Sequence, residues 1–119
     1  MNIEKIREYC IVKKGVTEGF PFDETSLVFK VMNKMFCLLS LDSHRMSLKN
    51  LPEKNIDLRM QYPESICGGY HFNKQHWNTI ELNGTVPNKL LIEMIDESYN
   101  LVVKGLTRKQ KEELKNLKK

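Results

Sequence analysis

Between Ser26 and Asn50 the chain carries three short apolar or alternating runs, Leu27-Val-Phe-Lys-Val31, Met35-Phe-Cys-Leu-Leu39 and Arg45-Met-Ser-Leu-Lys49. They are parted around Met32-Asn33 and Asp42-Ser43-His44, links too short for the dozen or more residues that a parallel crossover needs. The run therefore predicts a three-stranded antiparallel meander joined by hairpins. Alternation with a period of two turns Met46 and Leu48 inward and sends Arg45, Ser47 and Lys49 toward water.

The flanks read as helices. Asn2 to Val12 sets Ile3, Ile6 and Cys10 at helical spacing between charged residues, and Gly15 follows. Val16 to Phe22 is extended, with Pro21 suited to a sheet edge or a bend. Pro52 opens a second short helix with Ile56 and Met60 one turn apart on its face, and Pro63 lies beyond its end. Cys67-Gly68-Gly69 reads as a turn, Trp77 to Leu82 alternates as a strand, and Asn83-Gly84 stops it. Pro87 begins the longest helix, in which Leu91, Ile95, Ser98 and Val102 form one stripe, widened by Leu90, Met94 and Leu101, and Gly105 ends it. Thr107-x-x-Gln110 has capping-box spacing, so Arg108 to Lys119 restarts as a separate helix. The expected class is α+β, with helices segregated around a mostly antiparallel sheet. One domain over residues 1–105 and a basic helical tail over 106–119 account for the 119 residues.

The positive charge is localised. Nineteen basic side chains face fifteen acidic ones, yet residues 104–119 alone hold seven basic and two acidic groups, leaving the rest of the chain at −1. Affinity for a polyanion should thus depend heavily on the tail. Cys10, Cys37 and Cys67 are odd in number and far apart, so a disulfide framework is not expected and a reducing cytoplasm fits. The longest apolar runs, such as Met35 to Leu39, fall well short of the roughly 20 residues of a membrane span, and the first residues alternate charge where a signal peptide would be apolar.

The densest polar and aromatic stretch is Cys67-Gly-Gly-Tyr-His-Phe-Asn-Lys-Gln-His-Trp77. Cys67, His71 and His76 supply zinc-type ligands, but their C-x3-H-x4-H spacing matches no usual finger, so no metal or other cofactor is expected. The same residues offer a thiol and imidazoles for nucleophilic catalysis without a recognisable signature around them, and no catalytic residue is assigned. Gly68-Gly69 could expose backbone N–H groups to a phosphate, although two glycines more often permit a tight turn. The structural reading has Trp77 opening a half-buried strand with Tyr70 and Phe72 beneath it. That leaves Lys74, Gln75 and His76 unexplained. Lys30 and Lys34, which flank the first hairpin, and Arg45 and Lys49 on the third strand raise the same question, with edge protection as the plain answer.

Lys14-Gly-Val-Thr-Glu-Gly-Phe-Pro-Phe22, Leu27-Val-Phe-Lys-Val-Met-Asn-Lys-Met-Phe36, Tyr70-His-Phe-Asn-Lys-Gln-His-Trp-Asn78 and Ser98-Tyr-Asn-Leu-Val102 resemble, in this order, the motifs of the MmcQ/YjbR family. The resemblance runs from about Cys10 to Leu106. It implies a CyaY-like, frataxin-type arrangement, an antiparallel sheet with helices packed on one face, and a DNA-binding, double-wing role. On this chain the wings would be the Met32-Asn33 hairpin with Lys30 and Lys34, and the His71 to Trp77 segment with Lys74 and His76. Lys14 stands where the family often has proline, Asp23 where glycine is common, Met32-Asn33 in place of a glycine-containing turn, and Cys67-Gly68-Gly69 where a proline commonly precedes the Tyr-His pair. The acidic ridge of iron-binding relatives of that fold is missing, because Glu4 and Glu8 on the first helix face Lys5 and Arg7.

Taken together, the expected function is non-enzymatic binding of nucleic acid, DNA in the first instance. Lys30, Lys34, Arg45, Lys49, Lys74, Arg108, Lys109 and Lys111 would neutralise phosphates, with Asn73 or His76 near bases or sugars. No membrane partner is expected. The alternative is a protein-interaction or regulatory adaptor, and a third reading is a small-molecule enzyme using Cys67, His71 and His76.

Overall fold

Among the described residues six antiparallel strands form one sheet, in which short links join most neighbours and one central pair is brought together from distant parts of the chain. In the computed structural model, which describes residues 1–69 and 72–117, the elements are α1 (Ile3–Ile11), β1 (Val16–Gly19), β2 (Ser26–Val31), β3 (Lys34–Ser40), β4 (Arg45–Lys49), α2 (Pro52–Gln61), β5 (Ile66–Gly68), β6 (Trp77–Glu81), α3 (Asn88–Lys104) and α4 (Arg108–Asn116). The sheet order is β1-β2-β3-β4-β6-β5. The expected meander is β2-β3-β4, and β1 extends it at one edge.

Met32 and Asn33 both adopt positive φ, 49° and 69°, which lets the β2–β3 hairpin close without a glycine. The β3–β4 turn carries His44 at φ 53°. An exposed histidine held there costs about 1 kcal/mol of backbone strain. His44→Gly should therefore raise stability by roughly 0.5 kcal/mol once glycine's extra chain entropy is subtracted, read as a small increase in the denaturation midpoint. A lowered midpoint would show that the imidazole contributes more than its backbone costs.

A bulge sits in the β2–β3 ladder. Phe29 pairs with Cys37 and Lys30 with Met35, so Phe36 is the extra residue and both Phe36 and Cys37 join the core. One sheet face packs Leu27, Phe29, Val31, Leu39, Met46, Leu48 and Ile80 against Ile6 and Cys10 of α1 and the α3 stripe of Leu91, Ile95 and Val102. Phe36 meets Tyr99 of α3 edge to face at 5.4 Å between ring centroids. Ser98, fully buried within the α3 stripe, donates its hydroxyl to Phe36 O at 2.6 Å and accepts Lys49 N–H at 2.9 Å. This one hydroxyl ties α3 to the bulge and to the end of β4.

The first helix is fixed by polar contacts at its end. Tyr9 donates to Asp96 of α3 at 2.7 Å, while Lys13 pairs with the same carboxylate oxygen at 2.5 Å and lies over the rings of Tyr9 and Tyr99. Burial first, and then the bond to Asp96, pushes the Tyr9 phenol up to about 12. Its stabilising share is complete below the usual tyrosine range and fades as pH rises toward that value. Cys10 and Cys37 meet in the core as free thiols, and burial followed by the contact with Cys10 raises the Cys37 thiol well above its ordinary range.

Three expectations need correction. Ile56 and Met60 do not form the inward face of α2: they are 53% and 74% exposed, and Asn55 and Leu58 are buried instead. The reason is polar. The Asn55 amide donates to Asn50 O and Gln75 O, and its backbone carbonyl accepts from Asn78, so an asparagine occupies the inward position that an apolar residue would be expected to hold. Ser47 does not face water. It is 6% exposed and shares a 3.1 Å hydroxyl–hydroxyl bond with Thr79 across β4 and β6. Cys67-Gly68 is no turn but most of β5, a three-residue edge strand paired with β6.

The C-terminal helix packs on the domain. Thr107 and Gln110 make the reciprocal capping box. Leu106 and Leu114 join the same core, Gln110 Nε2 reaches Met32 O at 3.4 Å, and Lys14 Nζ bonds Lys115 O at 2.9 Å. α4 therefore lies beside the β2–β3 turn. Among the described residues, no helix is long and apolar enough to cross a membrane.

Candidate nucleic-acid interface

The face of the sheet away from α1 and α3 carries the outward residues of each strand, and the ladders give their order. Lys30 on β2 is opposite Met35, and Lys49 lies at the same end of β4, with Trp77 opposite it on β6. Two strand spacings, roughly 10 Å, separate the Lys30 and Lys49 backbones. Lys34 begins β3 directly after the Met32-Asn33 turn. Because Gln110 holds α4 to that turn, exposed Arg108, Lys109 and Lys111 are brought to the end of the molecule that carries Lys30 and Lys34. Four ion pairs join described residues, Arg7–Glu18, Lys13–Asp96, Arg45–Glu81 and Lys54–Glu97. Lys30, Lys34, Lys49, Arg108, Lys109 and Lys111 are in none of them.

Arg45 stands apart. It is at the opposite end of β4, where its Nε donates to both carboxylate oxygens of Glu81 at 3.0 and 2.9 Å, so its charge is offset by a neighbour in register. Sequence reasoning missed this partner because Glu81 is 36 residues away and enters beside β4 only through the β4–β6 pairing.

The β5–β6 connection forms a separate group at the far edge. His71 and Tyr70 lie outside the described residues. Asn73 is spent on the turn, its side chain accepting Gln75 N–H at 2.8 Å and its carbonyl accepting from His76 and Trp77. Arg59 of α2 holds Lys74 O and donates to Asn78 at 2.7 Å, and the Lys74 stem packs over Gly68. The half-buried His76 accepts Asn50 N–H at its carbonyl. Phe72 stacks on Trp77 with centroids 4.9 Å apart, as expected for the aromatic pair. The segment is thus folded back against β6 and α2. Lys74 remains exposed there, about four strand spacings from Lys30.

Between these groups, at the Arg45 end of the open face, lies a hollow of about 650 Å³ floored by Leu38, Ser40, Ser47 and Thr79 and walled by Phe22 and Phe72. The β1–β2 loop that brings Phe22 there is held by Asp23, whose carboxylate accepts the N–H groups of Thr25 and Ser26 at 2.9 and 2.7 Å. The Thr25 backbone bond first, and then the Ser26 hydroxyl, lowers the Asp23 carboxyl below the usual range. Its hold on the loop is complete above the ordinary aspartate range and is lost as pH falls through the lowered value. No group of three or more His, Cys, Asp or Glu gathers into a metal-binding arrangement among the described residues, and Cys67 is exposed on β5.

A family model described as YjbR matches residues 12–101. The Escherichia coli K12 protein named "Uncharacterized protein YjbR" is 29% identical over 119 residues, covering 98% of this chain and all of that one. "Uncharacterized protein YbdF" of Escherichia coli O157:H7 is 35% identical over 98 residues, 81% of this chain and 80% of that one. The crystal structure of Deinococcus radiodurans protein DR2400, with a DUF419 domain, is 42% identical and superposes with a TM-score of 0.89 over 95% of this chain and 87% of that one.

Proposed function

The chain belongs to the YjbR family, and on that premise we propose that it is a non-enzymatic nucleic-acid-binding module that grips a phosphate backbone with the β2–β3 hairpin and α4. The observation that carries this reading is the docking of α4 beside the hairpin through Gln110 and Met32, which gathers cations distant in sequence. Lys30, Lys34, Arg108, Lys109 and Lys111 form the phosphate-binding set, with Lys49 flanking it on the open face. Lys74, Asn73 and His76 at the far edge would meet the strand only if it crossed the sheet. Arg45, paired with Glu81, contributes little. The hairpin serves as one wing, and the antiparallel sheet with α1 and α3 sharing one face supports a CyaY-like arrangement.

Five phosphate contacts give a log–log salt slope of about −4.5 on duplex DNA, so affinity should fall several-hundred-fold between 50 and 200 mM salt. Arg108→Gln, Lys109→Gln and Lys111→Gln together remove three of them from exposed positions. The slope should then flatten by nearly 3 in fluorescence anisotropy with labelled duplex. An unchanged slope, or no saturable binding even at low salt, rejects the proposal. A protein-interaction adaptor is the second reading, favoured by the apolar surface that Leu51, Ile56 and Met60 expose on and beside α2. The α4 variant leaves that surface untouched, so loss of DNA binding with a retained protein partner separates the two.

A further inference from the structure

We propose that the hollow at the Arg45 end of the open sheet face is a binding site for a small, flat aromatic amine, neutral or cationic, and that it excludes anions of the same shape. The site lies apart from the phosphate-binding set and does not depend on that reading.

Shape is the first ground. At about 650 Å³ the hollow falls within the roughly 300–1,000 Å³ typical of small-molecule sites, and its floor is built on β3, β4 and β6 while the connecting loops supply its aromatic walls. The second ground is the lining. Phe22, 64% exposed, and Phe72, braced by its stack on Trp77, present ring surface to the same space. A phenyl group left this open to water beside a hollow gains by covering its face with another aromatic ring. Beneath them, Ser40, Ser47 and Thr79 offer hydroxyls that can donate or accept at the ligand's edge. Ser47 and Thr79 are already oriented by their mutual bond.

Charge decides the ligand class. Asp23 and Asp42 line the hollow against the single cation Arg45, and Glu81 offsets that cation. The described lining is therefore net negative. The Asp23 carboxylate is held ionised by the Thr25 and Ser26 donors, so its charge persists into mildly acidic solution. A phosphate or carboxylate entering here would meet two acids, whereas an ammonium or ring amine would find acceptors. The same acids make this end of the face a poor phosphate track and separate it from the Lys30 end.

The test uses tryptamine and indole-3-acetate, which share a ring system and differ in charge sign, titrated into the full-length protein by amide NMR. Tryptamine should shift the signals of Ser40, Ser47, Phe72 and Thr79 saturably and bind several-fold more tightly than indole-3-acetate. Phe22→Ala, at an exposed position, should weaken tryptamine by roughly fivefold, the size of one lost aromatic pair. Ser40→Leu, which fills the floor, should abolish the shifts, and the melting temperature of each variant checks that it is folded. Equal affinity for the two probes, shifts mapping elsewhere, or no saturation up to the solubility of tryptamine would overturn the assignment. If Ser40→Leu unfolds the domain, Phe22→Ala decides alone.

Discussion

Ser98→Ala should destabilise the domain by about 2–4 kcal/mol, although the substitution removes one oxygen atom from a helix and improves its intrinsic propensity. The hydroxyl is fully buried and makes two bonds in opposite senses, donating to Phe36 O and accepting from Lys49 N–H. Alanine leaves both backbone groups without this partner, and each orphaned buried group costs about 1–3 kcal/mol. For a domain of this size the melting temperature should fall by roughly 10 °C. Exposed Ser43→Ala in the β3–β4 turn is the control and should change stability by less than about 0.5 kcal/mol. If the two variants melt together, the tie between α3 and the bulge is not a source of stability. The bulge places Phe36 and Cys37 side by side in the core, so loosening it should also show as exchange broadening at Phe36 and Tyr99 before the rest of the sheet responds.

The same hydroxyl illustrates how far the sequence could be read. Its place in the Leu91-Ile95-Ser98-Val102 stripe follows from helical periodicity, because packing of a long amphipathic helix leaves a strong local pattern. Its partners do not, since Phe36 and Lys49 are 62 and 49 residues away. The β2-β3-β4 meander was legible for a similar local reason: short links and alternation with a period of two. β5 was not, because a three-residue strand turns only Ile66 inward, and one apolar residue makes no period. α2 misled in the other direction. Its apolar Ile56 and Met60 suggested an inward face, while a network around Asn55, Asn50 and Asn78 supplies the interior by satisfying buried polar groups. For the interface, residue type identified the cations and could not sort them. Arg45 is separated from Lys30 and Lys34 by register and by Glu81, and α4 is joined to them by a glutamine and a leucine that carry no charge.

That joining can be undone at a single glycine. Gly15 has φ +77°, and a Cβ built there would stand 2.5 Å from Leu114 Cδ1, too close for any real contact. Gly15→Ala thus combines about 1–2 kcal/mol of left-handed backbone strain with displacement of the one buried residue of α4. Displacing Leu114 forfeits up to about 2 kcal/mol of apolar burial, which together with the strain makes about 3–4 kcal/mol when the side chain is fully expelled. A terminal helix of nine residues is marginal when isolated, so α4 should undock and fray while the sheet persists. Hydrogen exchange should lose protection over residues 108–116 and keep it in β2 and β3. The functional consequence follows from geometry. Arg108, Lys109 and Lys111 keep their charges but lose their fixed position beside Lys30 and Lys34, and binding must then order them. DNA affinity at low salt should fall about tenfold in the Gly15→Ala protein even though its net charge is unchanged, whereas the triple glutamine variant loses affinity by losing charge. Leu114→Ala removes the same contact without backbone strain and should reproduce the effect. Undocking with full affinity would show that the basic helix acts as a free polycation, and that the docked arrangement has no part in recognition.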